Sequence, residues 1–159
     1  MNEDETPPQE TGRSAAGGDL RELIADAQHD LRNPLGNILG FCEILLKQVQ
    51  SSNEEHWKPR LQSIYDLANQ MIVRIDRVLD PDKTPAGPGE VSTLQVQLRP
   101  EASQIITTLE TLALDARRLP QDHYSEDLTR MSESAERVAR LIETALSIYP
   151  AHYEPKPPA

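Results

Sequence analysis

Apolar residues recur in alternating steps of three and four from Ile24 onward, at Ala27, Leu31, Leu35, Ile38, Cys42, Leu45 and Val49. That is the stripe of a helix that packs in a bundle. The pattern predicts a helix from Leu20 to about Gln50, with Asp19 as a candidate cap and Glu22 and Asp26 favouring its N-terminal half. Pro34 falls inside the stripe without shifting it, so it is expected to kink the helix rather than end it. Residues 51–59 read as a turn. Leu61, Ile64, Ala68, Met71, Ile75 and Val78 then mark a second helix, which should stop at Asp80-Pro81 because a residue before proline disfavours helix.

Residues 80–89 carry three prolines and two glycines and read as a linker. A third helix is marked by Leu98, Ala102, Ile105, Leu109, Leu112 and Ala116. Its start is expected between Ser92 and Pro100, with Pro100 as a first-turn proline followed by Glu101. Leu94, Val96 and Leu98 alternate, which leaves extended backbone open over 91–98. After a turn around residues 119–122, Leu128, Met131, Ala135, Val138, Ile142 and Ala145 mark a fourth helix. Residues 1–18 offer almost nothing to bury and read as a disordered lead; residues 149–159 read as a Pro-rich tail.

The chain also aligns with itself. An offset of 67 residues pairs Gln28 with Gln95, Leu31-Arg32 with Leu98-Arg99, Leu45 with Leu112, His56 with His123, Leu61 with Leu128 and Ile75 with Ile142. Helices share a heptad rhythm, so matches on the stripe alone are weak. One register that holds through helix, turn and helix, with Trp57 against Tyr124 in the turn, is stronger and indicates duplication. Two helical hairpins in one chain could cover each other's apolar stripes, so the expected fold is an all-α four-helix bundle, an intrachain pseudo-dimer and a monomer.

Composition narrows the function classes. With 37% hydrophobic and 4% aromatic residues, the chain suits an aliphatic-cored helical bundle better than a sandwich or a doubly wound sheet. A net charge of -10 argues against nucleic acid or an anionic membrane as partner. The single cysteine, Cys42, allows no intramolecular disulfide, and no apolar run approaches a membrane span, so a cytoplasmic location is expected. No Cys/His/Asp cluster has metal-ligand spacing, so no metal is expected on this chain. His56 and His123 are expected to pack at a bundle end.

The chemistry-bearing stretch is His29-Asp30-Leu31-Arg32-Asn33-Pro34-Leu35. At about 100° per residue His29 lies roughly 200° from Leu31, away from the stripe, and Asn33 is one turn further on nearly the same face. Gly36, Asn37 and Gly40 keep the surface beyond them low enough for another protein to approach. The offset places Val96, Gln97 and Pro100 where His29, Asp30 and Asn33 stand, so the second copy is blank.

This stretch resembles the phosphoacceptor box of the dimerisation and histidine-phosphotransfer (DHp, HisKA-like) domain of sensor histidine kinases: His, an acid, two variable residues, Thr or Asn, Pro and a bulky aliphatic. The resemblance covers residues 19–80 as a DHp-like hairpin with an intact box. A linker follows over 81–90, then a degenerate hairpin over 91–148. It implies that His29 is the phosphoacceptor, that Asp30 orients and activates the imidazole, and that Asn33 positions water in a phosphatase role. Arg32 would contact phosphoryl oxygens or make surface pairs, and Pro34 would loosen the helix at the box. Gly36, Asn37 and Gly40 would form the docking surface. The implied partners are a response-regulator receiver domain, which would hold Mg²⁺, and a separate histidine kinase or ATP-binding domain. No Walker loop or Gly-rich lid is present, so ATP-dependent autophosphorylation by this chain alone is not expected. The function implied is phosphotransfer between His29 and a receiver aspartate. The alternative is a non-catalytic bundle that docks a receiver or kinase, with His29 vestigial.

Overall fold

The computed structural model describes the backbone of residues 6–120 and 123–152, and side chains over 20–120 and 123–147. The described residues form four α-helices and no β-strand: α1 (Thr6–Gln50), α2 (Lys58–Val78), α3 (Pro88–Arg117) and α4 (Ser125–His152), with a short 3₁₀ turn at Glu55–Trp57 before α2. Helix α1 packs on α2 and α3 on α4, and the two hairpins meet through α1 against α4 and α2 against α3. The result is the expected all-α four-helix bundle.

The core is one cluster drawn from all four helices. Leu31, Leu35, Ile38, Cys42, Leu45 and Val49 of α1 have no exposed surface, nor do Leu61, Ile64, Ala68, Met71 and Ile75 of α2. Leu98, Leu109, Leu112, Met131, Val138 and Ile142 are at most 1% exposed. Among the described residues no polar or charged side chain is buried outright. Each stripe position therefore contributes apolar area, about 1.5–3 kcal/mol for each fully buried large aliphatic. No described helix is long and apolar enough to cross a membrane.

Several boundaries differ from the sequence reading. Helix α1 begins at Thr6, ahead of the expected start at Leu20, so Asp19 lies inside it and does not cap it; residues 1–5 of the expected lead lie outside the described residues. Pro7 and Pro8 sit in its first turn, where a missing N–H breaks no ladder bond. Helix α3 begins at Pro88, inside the stretch expected to be linker. Gly87 is its extended N-cap (φ -75°, ψ 166°), and the Glu90 carboxylate accepts the Gly87 N–H at 3.3 Å. Val91, Leu94 and Leu98 lie buried on one helical face while Val96 is 61% exposed, so 91–98 is helix and not extended. Pro100 consequently lies in the interior of α3, not in its first turn. Helix α4 runs to His152, past the expected start of the tail at 149, since a proline in a last turn forfeits one bond without leaving helical φ. The rest of that tail, 153–159, lies outside the described residues.

The connection between the hairpins is pinned at both ends. Leu79 is fully buried and Ala86 nearly so, while Asp80 Oδ1 accepts the Asp82 N–H at 2.9 Å in an Asx turn.

Candidate functional site

Helix α1 places His29 on its outer face. The imidazole is 72% exposed, and its Nδ1 lies 3.7 Å from Asp30 Oδ1. That separation is beyond a formed hydrogen bond but within one small rotation of it. Asp30 thus faces one ring nitrogen and leaves Nε2 open to solvent. Pro34 has no N–H to give the Asp30 carbonyl, so the ladder is interrupted at the residue beside the histidine.

Below His29 on the same helical file stand Asn33, Asn37 and Phe41, each one turn further. These three and the buried Pro34 form one wall of a groove of about 790 Å³; Arg130, Glu133, Ser134 and Arg137 of α4 form the other. Asn33 and Asn37 are thereby brought together with two arginines of the fourth helix. The sequence reading missed the α4 wall. Its one available signal was the spacing of Arg130 and Arg137, seven residues apart and so on one face of their helix.

Gly36 is exposed and Gly40 half-buried, and a Cβ built on either meets nothing within 4 Å. Packing within this chain therefore does not require glycine at either place. Arg32 is turned away from the groove: its Nε lies 3.5 Å from Asp76 Oδ1 on α2, an oxygen that also accepts a 3.0 Å hydrogen bond from Gln28 Nε2. His29 and Asn33 share the groove side of α1, while Arg32 serves the α1–α2 pairing.

The second hairpin repeats these details at the 67-residue offset. Arg99, the counterpart of Arg32, makes a bidentate pair with Glu143, the counterpart of Asp76, at 2.6 and 2.9 Å. That contact lowers the Glu143 carboxyl pKa and raises that of the guanidinium. His56 stacks edge-on with Trp57 at 6.4 Å, and His123 with Tyr124 at 6.3 Å. Trp57 and Tyr124 themselves meet at 5.0 Å where the hairpins join. A smaller groove of about 410 Å³ on the opposite seam is lined by Ser63, Asp66, Leu67, Gln70 and Gln104, the offset counterparts of Arg130, Glu133, Ser134, Arg137 and Asn37. It lacks the arginines, and Val96 stands in the histidine's place. No group of three or more His, Cys, Asp or Glu side chains gathers as a metal site among the described residues.

An exposed histidine beside an acid, on a proline-interrupted helix of a bundle, matches a known domain class. Residues 19–87 match the family described as His Kinase A (phospho-acceptor) domain. This part of the chain, under half of its length, is thus similar to the phosphoacceptor (DHp/HisKA) domain of histidine kinases. Over 89 residues the chain is 30% identical to the signal transduction histidine-protein kinase BarA of Escherichia coli K12, covering 55% of this chain and 9% of that protein. It is 26% identical over 99 residues to the circadian input-output histidine kinase CikA of Synechococcus elongatus, covering 62% and 13% respectively. The non-motile and phage-resistance protein of Caulobacter vibrioides is 31% identical over 67 residues, 42% of this chain and 8% of its own length. The chain thus spans about a tenth of the length of these curated relatives. No solved structure matches it.

Proposed function

We propose that this chain is a histidine phosphotransfer module in which His29 exchanges a phosphoryl group with a receiver-domain aspartate. The observation that carries the reading is the exposed His29 imidazole, its Nδ1 turned to Asp30, within the segment that matches a phosphoacceptor family. Asp30 holds the Nδ1 proton and keeps Nε2 as the nucleophile. In transfer, the Nε2–P bond breaks as an aspartate oxygen of the receiver bonds to phosphorus, with the two in line and Mg²⁺ held by the receiver. Asn33, at the groove's edge one turn from His29, orients a water for hydrolysis of the receiver's aspartyl phosphate, in which the water oxygen bonds to phosphorus as the aspartate O–P bond breaks and inorganic phosphate leaves.

The receiver docks along the file of Asn33, Gly36, Asn37 and Gly40, where the surface is low. The bundle contributes the phosphoacceptor; ATP enters through a separate ATP-binding domain or histidine kinase. The second hairpin acts as a duplicated, chemically blank dimerisation partner, so the bundle is a monomeric pseudo-dimer with one phosphoacceptor.

The test is incubation with a panel of phosphorylated receivers and detection of acid-labile, base-stable phosphate. Wild type is expected to become labelled and His29→Gln to stay unlabelled; equal labelling of both would overturn the assignment. Receiver binding that survives without labelling of either protein would support the non-catalytic docking reading instead. Labelled ATP alone is expected to give no phosphohistidine.

A further inference from the structure

The α2–α3 seam carries two ion pairs that are not repeated at the offset positions of the α1–α4 seam. Arg60 Nη1 of α2 bonds Asp115 Oδ2 of α3 at 2.8 Å, with both side chains less than half exposed. About four turns on, Arg74 Nη2 meets Glu101 Oε2 at 3.2 Å, with Glu101 only 12% exposed. Arg74 Nε and Glu101 Oε1 are buried without a hydrogen-bond partner, so loss of the Nη2–Oε2 contact would leave both groups more exposed to the cost of burial.

The offset of 67 residues turns these two pairs into a test of alternative assemblies. The counterparts of Arg74 and Glu101 are Leu141 and Pro34, an apolar pair, and those of Arg60 and Asp115 are Asp127 and Gln48. Two copies of the first hairpin paired with each other would set Arg74 against Pro34 and Arg60 against Gln48, leaving both guanidiniums without a carboxylate. Two copies of the second would set Glu101 against Leu141, stranding a nearly buried carboxylate, and Asp115 against Asp127, a like-charge clash. The first hairpin against the second gives each of these four charges an opposite charge to face. Stranding or opposing partly buried charge is a strong device against wrong pairings, even where the correct pair adds little net stability.

We infer that Arg60, Arg74, Glu101 and Asp115 form a pairing code, which selects the second hairpin as the partner of the first and rejects a second copy of either hairpin. The code makes an asymmetric bundle with a single phosphoacceptor box the favoured assembly. A symmetric one with two boxes is disfavoured. The tether between the hairpins raises their effective concentration but does not discriminate between swapped and symmetric pairings once two chains meet. The code supplies that discrimination.

The test uses full-length chains, light scattering and thermal melts. The double variants R60E/R74E and E101R/D115R each place like charges across the seam. Each alone is expected to melt about 10 °C lower than wild type, as the loss of a few kcal/mol in a chain of this size implies. The fourfold variant, with all the charges exchanged, is expected to recover the wild-type melting temperature and the monomer mass of 17.8 kDa. Mixing the two doubles should give a 1:1 dimer of twice that mass, because each hairpin of one chain then complements the opposite hairpin of the other. The inference is overturned if the doubles melt like wild type, if the fourfold variant melts as low as the doubles, or if each double dimerises with itself as readily as with the other.

Discussion

Cys42 shows at residue scale what an all-aliphatic core does to a polar atom. Its Sγ is fully buried and reaches the Leu61 carbonyl at 3.7 Å, and burial pushes the thiol pKa up to about 12, with Glu43 adding to the shift. The unfolded thiol ionises at roughly 8.5, so between that pH and about 12 the folded state holds a proton that the unfolded state has lost. Stability therefore falls as pH rises through that window, and below it the thiol contributes no pH dependence. Iodoacetamide at mildly alkaline pH is expected to leave native protein unlabelled and to label denatured protein fully; rapid labelling of the native state would contradict this burial. Gly36 and Gly40 separate stability from recognition in a similar way. Open space at both means that Gly36→Ala and Gly40→Ala should each raise stability by about 0.5–1 kcal/mol, measured by urea unfolding. If a receiver lies close against them, the same changes weaken its binding. The exposure of His29 was legible in the sequence because helical periodicity alone puts it opposite Leu31. The α4 wall of the groove was not, because bringing Asn33 and Arg137 to one groove depends on how two helices are set side by side.

At the scale of single elements, proline decided what could be read. Periodicity located all four helices, because a stripe in threes and fours survives a proline whose φ is helical. It misplaced their ends, because a Pro-Gly cluster signals both a linker and a helix start. Pro88 belongs to the start: Gly87 and Glu90 cap it, and Val91 and Leu94 continue the stripe of Leu98 backwards by two turns. Pro100 was then mistaken for the first-turn residue that Pro88 is. Inside α3 it removes the N–H that would reach the Val96 carbonyl, on an exposed face of the helix. Pro100→Ala is therefore expected to stabilise the protein by about 1–3 kcal/mol, the upper figure being the full helix-interior penalty. A thermal melt measures it. Pro34 differs because it is buried and forms part of the groove wall. There the restored hydrogen bond is offset by lost packing, so Pro34→Ala should gain less than Pro100→Ala. A larger gain at Pro34 would mean that its ring contributes nothing to the seam.

For the whole molecule the decisive feature is that one core serves both hairpins. The buried cluster runs from Ile24 to Leu146 without a break between the halves, and its largest member, Trp57, meets Tyr124 where they join. Neither hairpin can bury its stripe alone, so unfolding should be a single transition. Trp57, the chain's one tryptophan, reports on that junction. Its emission and the far-ultraviolet ellipticity are expected to change at the same denaturant concentration; separate midpoints would mean that the hairpins fold independently. Truncating this side chain tests which of two effects governs the junction. Trp57→Ala leaves a cavity at the meeting point and should cost about 3–5 kcal/mol. Trp57→Phe loses less volume and also removes Nε1, a buried donor with no acceptor among the described residues. Relief of an unpaired donor is worth about 1–3 kcal/mol, while an imperfect aromatic replacement costs up to about 1.5 kcal/mol. The two oppose each other, so Trp57→Phe should cost clearly less than Trp57→Ala. A penalty for Phe as large as that for Ala would show that the indole nitrogen is satisfied by bound water, and that the junction is held by that hydrogen bond as well as by packing.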